Sequence, residues 1–252
     1  MPGISLQKGI IYGPIISRRL GRSLGINLLP TNKKVCSFDC IYCQYGRTED
    51  HILDLSRIDF PSVDSVLSEV EKALKKPRTI NYLTFSGNGE PTLHPEFLEI
   101  VRATREMVDR FRPEARIALF SNASMVRKSS IISALGMIDL PMMKLDAGDI
   151  RTFQAINKPA RSINFWEIVD GLKTIPNLQI QSMLIDGDVS NIHGDNFIHW
   201  VKTLTDLKPR TVYIYSVERP TAYALVKPVP KNVLERIRKD FQANYNLNVQ
   251  SF

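Results

Sequence analysis

The stretch Cys36-Ser37-Phe38-Asp39-Cys40-Ile41-Tyr42-Cys43 holds all three cysteines of a 252-residue chain. An odd count excludes a fully paired disulfide framework, and thiols clustered this tightly read as metal ligands in a reducing compartment. The C-x3-C-x2-C spacing lets three thiolates hold three irons of a cubane cluster, while the fourth iron lacks a protein ligand. Clusters that only carry electrons usually take four cysteines. An open iron is instead a place for a small molecule to coordinate. The competing reading is zinc held by the same cysteines with His51 or His94. A Cys3His set is chemically sound, but zinc sites usually space their cysteines as C-x2-4-C pairs across a longer loop. The cluster fits the spacing better.

The composition, 43% hydrophobic and 23% charged, is that of an ordinary globular protein and excludes disordered and fibrous classes. No apolar run approaches the roughly 18 residues of a membrane span. Residues 1–7 lack the profile of a secretory leader, so a cytoplasmic location without membrane contact is expected. The length suits one domain, and α/β barrels routinely use about this much chain. The net charge of +7 is uneven, because residues 1–47 hold seven basic residues against the single acid Asp39. Such a segment suits an anionic partner, nucleic acid included, or balances the charge of a cluster.

From about residue 60, helical and strand patterns alternate in order, as βα units around a parallel sheet do. Strands are expected at 24–29, 79–86, 115–121, 137–146, 178–185 and 211–217, short runs rich in β-branched and aromatic residues. Helices are expected at 62–75, 95–111, 127–135, 163–174, 195–207 and 230–243. Ser62, Asn164 and Asp195 are the expected N-caps of three of them. Pro77, Pro113, Pro176 and Pro209 fall in connections leading into strands, where a missing N–H breaks no ladder. A last strand is expected within 246–251. The expected fold is α/β, a single domain over 1–252. Its barrel occupies 24–217, with extensions at 1–23 and 218–252.

A period of two puts Met142, Lys144 and Asp146 on one face of the fourth strand, with Met143 and Leu145 on the other. The outer face of a barrel strand packs on helices. Lys144, Asp146, Gln181, Tyr213 and Tyr215 are therefore expected inside, near the open mouth.

The cysteine loop, with Tyr42 before its last cysteine, resembles the signature loop of the radical S-adenosylmethionine enzymes. Ser86-Gly87-Asn88-Gly89-Glu90-Pro91, after the second strand, resembles that family's Gly-Gly-Glu-Pro motif, with Asn88 interrupting the glycine pair. The resemblance implies a partial (β/α)6 TIM-like barrel. Other segments narrow it: Tyr12-Gly13-Pro14, Ser17-Arg18-Arg19-Leu20-Gly21-Arg22, Thr92-Leu93-His94-Pro95, Lys144-Leu145-Asp146-Ala147 and Ile156-Asn157-Lys158-Pro159. These are similar to uncharacterised iron–sulfur oxidoreductases related to tRNA 4-demethylwyosine synthase, over residues 12 to about 220. That synthase has further upstream cysteines for a second cluster. This chain has none, so the same two-cluster reaction is not expected.

The resemblance implies one [4Fe-4S] cluster on Cys36, Cys40 and Cys43. It also implies S-adenosylmethionine as second cofactor, cleaved reductively to a 5′-deoxyadenosyl radical that takes hydrogen from a substrate. Gly87, Asn88, Gly89 and Glu90 would lie at the methionine amine, and Ser121 and Asn122 at the ribose. Tyr42, Ile185 and Tyr215 would lie near the adenine. Lys144 and Asp146 are the candidate catalytic or carboxylate-binding pair. Their alternative is an internal ion pair that fixes the strands, since a buried charge needs a partner.

The substrate is left open among an RNA base, a peptide and a small anion, and a one-electron donor such as flavodoxin or ferredoxin is expected. The non-enzymatic alternative is a zinc-stabilised nucleic-acid-binding protein. That would need a basic stripe interleaved with aromatics, whereas Arg18, Arg19 and Arg22 lie among aliphatic residues and glycines. His94 reads as a helix-start residue; His51, His193 and His199 receive no role.

Overall fold

Alternating strands and helices build two units in the computed structural model, which describes residues 3–48, 54–221, 223 and 226–252. His51 lies outside the described residues. The first unit comprises Leu6–Ser37 and Ile52–Pro141. In it β1 (Ile11–Ser17) and β2 (Gly21–Ile26) form an antiparallel pair. Next, β2 runs parallel to β3 (Tyr82–Phe85), and β3 parallel to β4 (Arg116–Ser121). The helices are α1 (Val63–Lys75), α2 (Phe97–Phe111) and α3 (Ser129–Leu135). Val66, Val70, Ala73 and Leu74 make the buried stripe of α1 at helical spacing. Ser62 caps this helix as expected, its Oγ accepting the Ser65 N–H.

Parallel register brings the C-terminal ends of β2 and β3 to one end of this unit, where Asn27 and the turn after Phe85 lie. Arg18, Arg19 and Arg22 sit at the opposite end, in and beside the β1–β2 turn. Four residues of strand at about 3.3 Å each put roughly 13 Å between Arg22 and Ile26. The Arg19 guanidinium nevertheless reaches the Phe120 ring, 5.1 Å from its centroid, near the C-terminal end of β4, while Val35, the neighbour of Cys36, bridges to Gly89.

The second unit comprises Met1–Ser5, Phe38–His51 and Met142–Phe252. β5 (Leu140–Lys144) enters it at Met142 and pairs in parallel with β6 (Gln179–Met183). A short β7 (Ile185–Gly187) follows. β8 (Thr211–Tyr215) lies parallel to β6, β9 (Val226–Pro228) pairs antiparallel with β7, and β10 (Val249–Ser251) lies parallel to β8. The helices are α4 (Ile150–Asn157), α5 (Phe165–Lys173), α6 (Gly194–Leu207) and α7 (Lys231–Asn244). Trp200 on α6 is fully buried against Phe197 and Phe241, and its Nε1–H donates to Leu145 O at 3.0 Å. That bond anchors the helix behind the end of β5.

Each expected strand and helix is present, most with trimmed ends; β2 is shifted toward the N-terminus to Gly21–Ile26, and α6 and α7 extend past an expected end to Gly194 and Asn244. The architecture is α/β as expected. Three differences have physical reasons. Asp195 is not the cap of α6: the helix starts at Gly194, His193 precedes it, and no side chain caps it. Asp195 instead lies in the first turn, where its charge complements the helix dipole. α4 is an unexpected helix, begun by Asp149 accepting the Thr152 N–H at 2.8 Å; at eight residues it offers barely two turns of periodicity. β1 carries Gly13-Pro14, which reads as a loop, yet proline is tolerated on an outer strand. Among the described residues no helix is long and apolar enough to cross a membrane.

His94 does stand just before α2, as its sequence context suggests. Glu96 N–H donates to its Nδ1 (3.2 Å), so Nε2 carries the hydrogen and donates to Pro61 O (2.9 Å). Burial lowers its pKa from the ordinary 6.5. Protonation would also require Nδ1 to give up the Glu96 N–H. Below that ordinary value the unfolded chain takes up a proton that the folded chain resists, so stability falls as pH drops through it. His94→Gln should flatten the pH dependence of the urea midpoint between about pH 5 and 7. A slope identical to wild type would contradict this account.

Candidate cluster and cofactor site

In the first unit, Gly87 and Gly89 hold φ angles of 138° and 143°. A Cβ on Gly87 would meet Asn27 Oδ1 at 2.4 Å, and one on Gly89 would meet Val35 O at 1.7 Å. Only glycine permits both the torsion and the close approach. Asn88 between them is fully buried. Its Nδ2 donates to Gln7 O (3.0 Å) and Pro30 O (2.9 Å), while its Oδ1 accepts the Gln7 N–H (2.7 Å). The residue that interrupts the expected glycine pair is thus a clamp on the N-terminal segment. Val35 N–H donates to Asn88 O and Glu90 N–H to Val35 O, which lays the residue before Cys36 against this turn.

Glu90 is buried and collects four donors. Its Oε1 accepts the Thr92 N–H (3.1 Å), the Thr92 hydroxyl (2.6 Å) and the Ser121 hydroxyl (2.8 Å); Oε2 accepts the Asn122 N–H (2.6 Å). Burial raises its pKa in spite of those bonds. Asn122 continues the chain of contacts. Its Nδ2 donates to Ser37 Oγ (2.9 Å) and Cys36 Sγ (3.6 Å), and its Oδ1 accepts the Ser124 N–H (2.9 Å). Ser121 and Asn122, implied at a ribose, are here brought onto Glu90 and the first cysteine.

In the second unit, the rest of the cysteine loop is laid on the C-terminal end of α4. Asp39 N–H is shared between Asn157 O (3.1 Å) and Lys158 O (3.0 Å), Ile41 N–H donates to Ile156 O (2.9 Å), and Phe38 bridges to Pro159. The Asp39 carboxylate accepts the Thr48 N–H (2.7 Å) and the Tyr223 hydroxyl (3.1 Å). Ile156–Pro159, which in the sequence carries only a resemblance, is the platform for the loop from Phe38 to Ile41, Cys40 included.

Asp146 is the hub of this unit, with a fully buried side chain. Its Oδ2 accepts from Asn157 Nδ2 (2.7 Å) and from the Tyr42 hydroxyl, and its Oδ1 accepts the Met183 N–H (2.8 Å). Lys144 Nζ stands 3.6 Å from Oδ2 and over the rings of Tyr42 and Tyr215, at 5.0 and 5.9 Å from their centroids. Asn157 Nδ2 also lies 3.4 Å from Cys40 Sγ and 3.3 Å from the Tyr42 hydroxyl. Burial alone would push Lys144 toward neutrality, but Asp146 overrides it and holds the ammonium above its ordinary pKa. Burial, then Asp146, pushes the Tyr42 phenol up. Burial also pushes the Cys40 thiol up to about 11, with Lys144 opposing it.

The expected polar row is present. Gln181 lies opposite Lys144 on one side and Tyr213 on the other, and Tyr215 OH donates to Gln181 Oε1 at 3.5 Å. Ile185 is fully buried, and its N–H and C=O both pair with Asn191. Its backbone is therefore engaged within the protein. Asn191 Nδ2 also donates to Asp146 O and Met183 O, each at 2.9 Å, which ties the ends of β5 and β6 together. Asn157 and Asn191 escaped sequence reading because a lone asparagine has no spacing signal. For Asn157 the one hint was its place in a segment of resemblance.

Both His94 nitrogens are engaged, which removes it from a zinc site. Among the described residues no group of three or more His, Cys, Asp and Glu side chains is closed into a metal cage. The donor set nonetheless fits an iron–sulfur cluster. Three cysteines, none of them in a disulfide, lie on one loop, and two of the sulfurs accept amide N–H groups of the kind that tune such clusters. A ligand cysteine must be a thiolate, and the burial that raises Cys40 is a cost that bound iron would offset. Asp146→Asn should leave Lys144, only 14% exposed, without its counter-charge and cost about 3–5 kcal/mol in urea unfolding. Lys144→Met should recover much of that loss; no recovery would show that the pair does not interact.

Residues 34–207 match the family model of the Radical SAM superfamily. A UPF0026 protein of Methanocaldococcus jannaschii is 30% identical over 234 residues, covering 90% of this chain and 70% of that protein. A Brachyspira hyodysenteriae protein named GTPase Obg is 30% identical over 243 residues, covering 95% of this chain. The chain spans only 34% of that protein's length. Among solved structures, TYW1 with a lysine–pyruvate adduct bound superposes with a TM-score of 0.61 at 16% identity, covering 88% of this chain and 74% of that one. The last is a likeness of fold.

Proposed function

The chain belongs to the radical SAM superfamily and to the UPF0026 proteins, and from that premise we propose that it is an enzyme holding one [4Fe-4S] cluster on Cys36, Cys40 and Cys43. When bound there, the cluster would supply one electron for reductive cleavage of S-adenosylmethionine to methionine and a 5′-deoxyadenosyl radical, which takes a hydrogen atom from the substrate. The observation that carries this reading is the placing of all three cysteines on one loop with buried amides on two of their sulfurs.

The chain's own residues then have defined work. Gly87 and Gly89 keep the turn free of side chains, so backbone groups are open to the methionine amine. Glu90, whose four donors all come from the chain, shapes the turn and holds Ser121 and Asn122 beside it. Asn88 braces the turn from behind. Tyr42 and Tyr215 flank the Lys144 ammonium and offer aromatic surface to the adenine. Lys144 is a fixed positive charge for a carboxylate of cofactor or substrate. Because Asp146 holds it charged, it is not assigned as a nucleophile of the kind the TYW1 adduct would require. The substrate class we favour is anionic, a small metabolite or an RNA base. The reaction is placed in the cytoplasm, with flavodoxin or ferredoxin as the electron donor.

The test is anaerobic purification, metal and sulfide analysis, and incubation with dithionite and S-adenosylmethionine. About four irons per chain and release of 5′-deoxyadenosine are expected, both lost in Cys40→Ala. A zinc-loaded protein that releases no 5′-deoxyadenosine would overturn the reading.

A further inference from the structure

We propose that Asn122 and Asn157 are positioning residues that set the reduction potential of the cluster, each by donating an amide N–H to one ligand sulfur. This rests on the reading that the three cysteines hold a cluster. The two units arrive at the same local design. Asn157 Nδ2 lies 3.4 Å from Cys40 Sγ and is aimed by Asp146 Oδ2 at 2.7 Å. Asn122 Nδ2 lies 3.6 Å from Cys36 Sγ; its Oδ1 is pinned by the Ser124 N–H, and its own N–H is held by Glu90 Oε2. In both places an asparagine stands between a cysteine sulfur and a buried carboxylate. Asn157 is 1% exposed and Asn122 7%, so neither amide can turn to water without repacking.

An N–H on a thiolate sulfur draws electron density away from the iron. It therefore favours the cluster state that has gained an electron. Removing the donor should favour the oxidised state by about tenfold, which for a one-electron couple is about 59 mV toward more negative potential. The two asparagines act on sulfurs of different irons, so their effects should add.

The experiment is an EPR-monitored potentiometric titration of the anaerobically loaded protein without S-adenosylmethionine, dithionite supplying the electron. Wild type is compared with Asn122→Ala, Asn157→Ala and the double variant. The Asn157 backbone carbonyl, which accepts the Asp39 N–H, survives the substitution. Asn157→Leu, close in shape and without the donor, serves if the alanine variant does not fold, and should shift the potential in the same direction. Loaded single variants with potentials lowered by this order, and a double variant lowered by their sum, support the proposal. Loaded variants that titrate with wild type overturn it while the functional reading stands. A wild-type protein that takes up no cluster overturns that reading, and the proposal with it.

Discussion

A carboxylate with no solvent exposure has to be matched by donors, and Asp146 is where the second unit meets that demand. One side chain gathers the Tyr42 hydroxyl from the cysteine loop, the Asn157 amide from the end of α4, the Met183 N–H from the end of β6, and the Lys144 ammonium. Its backbone carbonyl takes the Asn191 amide. Loop, helix and strand ends are therefore held by a single buried charge. Leaving any of these donors unpaired would cost about 1–3 kcal/mol, so the arrangement is fixed as a set. Cys40 inherits that rigidity through Asn157. The ion pair of Asp146 with Lys144 also keeps a positive charge beside the loop.

The first unit solves a related problem with Glu90. Four donors surround that carboxylate, and one of them is the N–H of the residue whose amide reaches Cys36. The glycines on either side of Asn88 are demanded by Asn27 and Val35 rather than by a ligand alone. The turn is the brace that positions the residue before the first cysteine. Of the basic residues near the N-terminus, Arg18, Arg19 and Arg22 lie in and beside the β1–β2 turn, whereas Lys33 and Lys34 come just before Cys36.

Much of this architecture could be read from patterns that are local. Ser62 and Asn164 cap their helices because a short polar side chain before an apolar stripe has few other uses. The face shared by Lys144 and Asp146 followed from the pleat of one strand. The parts that could not be read are those decided over long separations. Asn157 meets Cys40 across 117 positions, and Asn191 meets Asp146 across 45; no spacing announces either. Asp195 looked like a cap and is not one, since α6 begins a residue earlier at Gly194. Asn88 looked like a flaw in a motif and proves to be a structural clamp.

The central claim is that three cysteines leave one iron open to S-adenosylmethionine. EPR of the dithionite-reduced protein, recorded before and after adding S-adenosylmethionine, tests it most directly. The account predicts a [4Fe-4S]⁺ signal whose g-values change on addition, because the cofactor binds iron itself. A signal that S-adenosylmethionine leaves unchanged would contradict it.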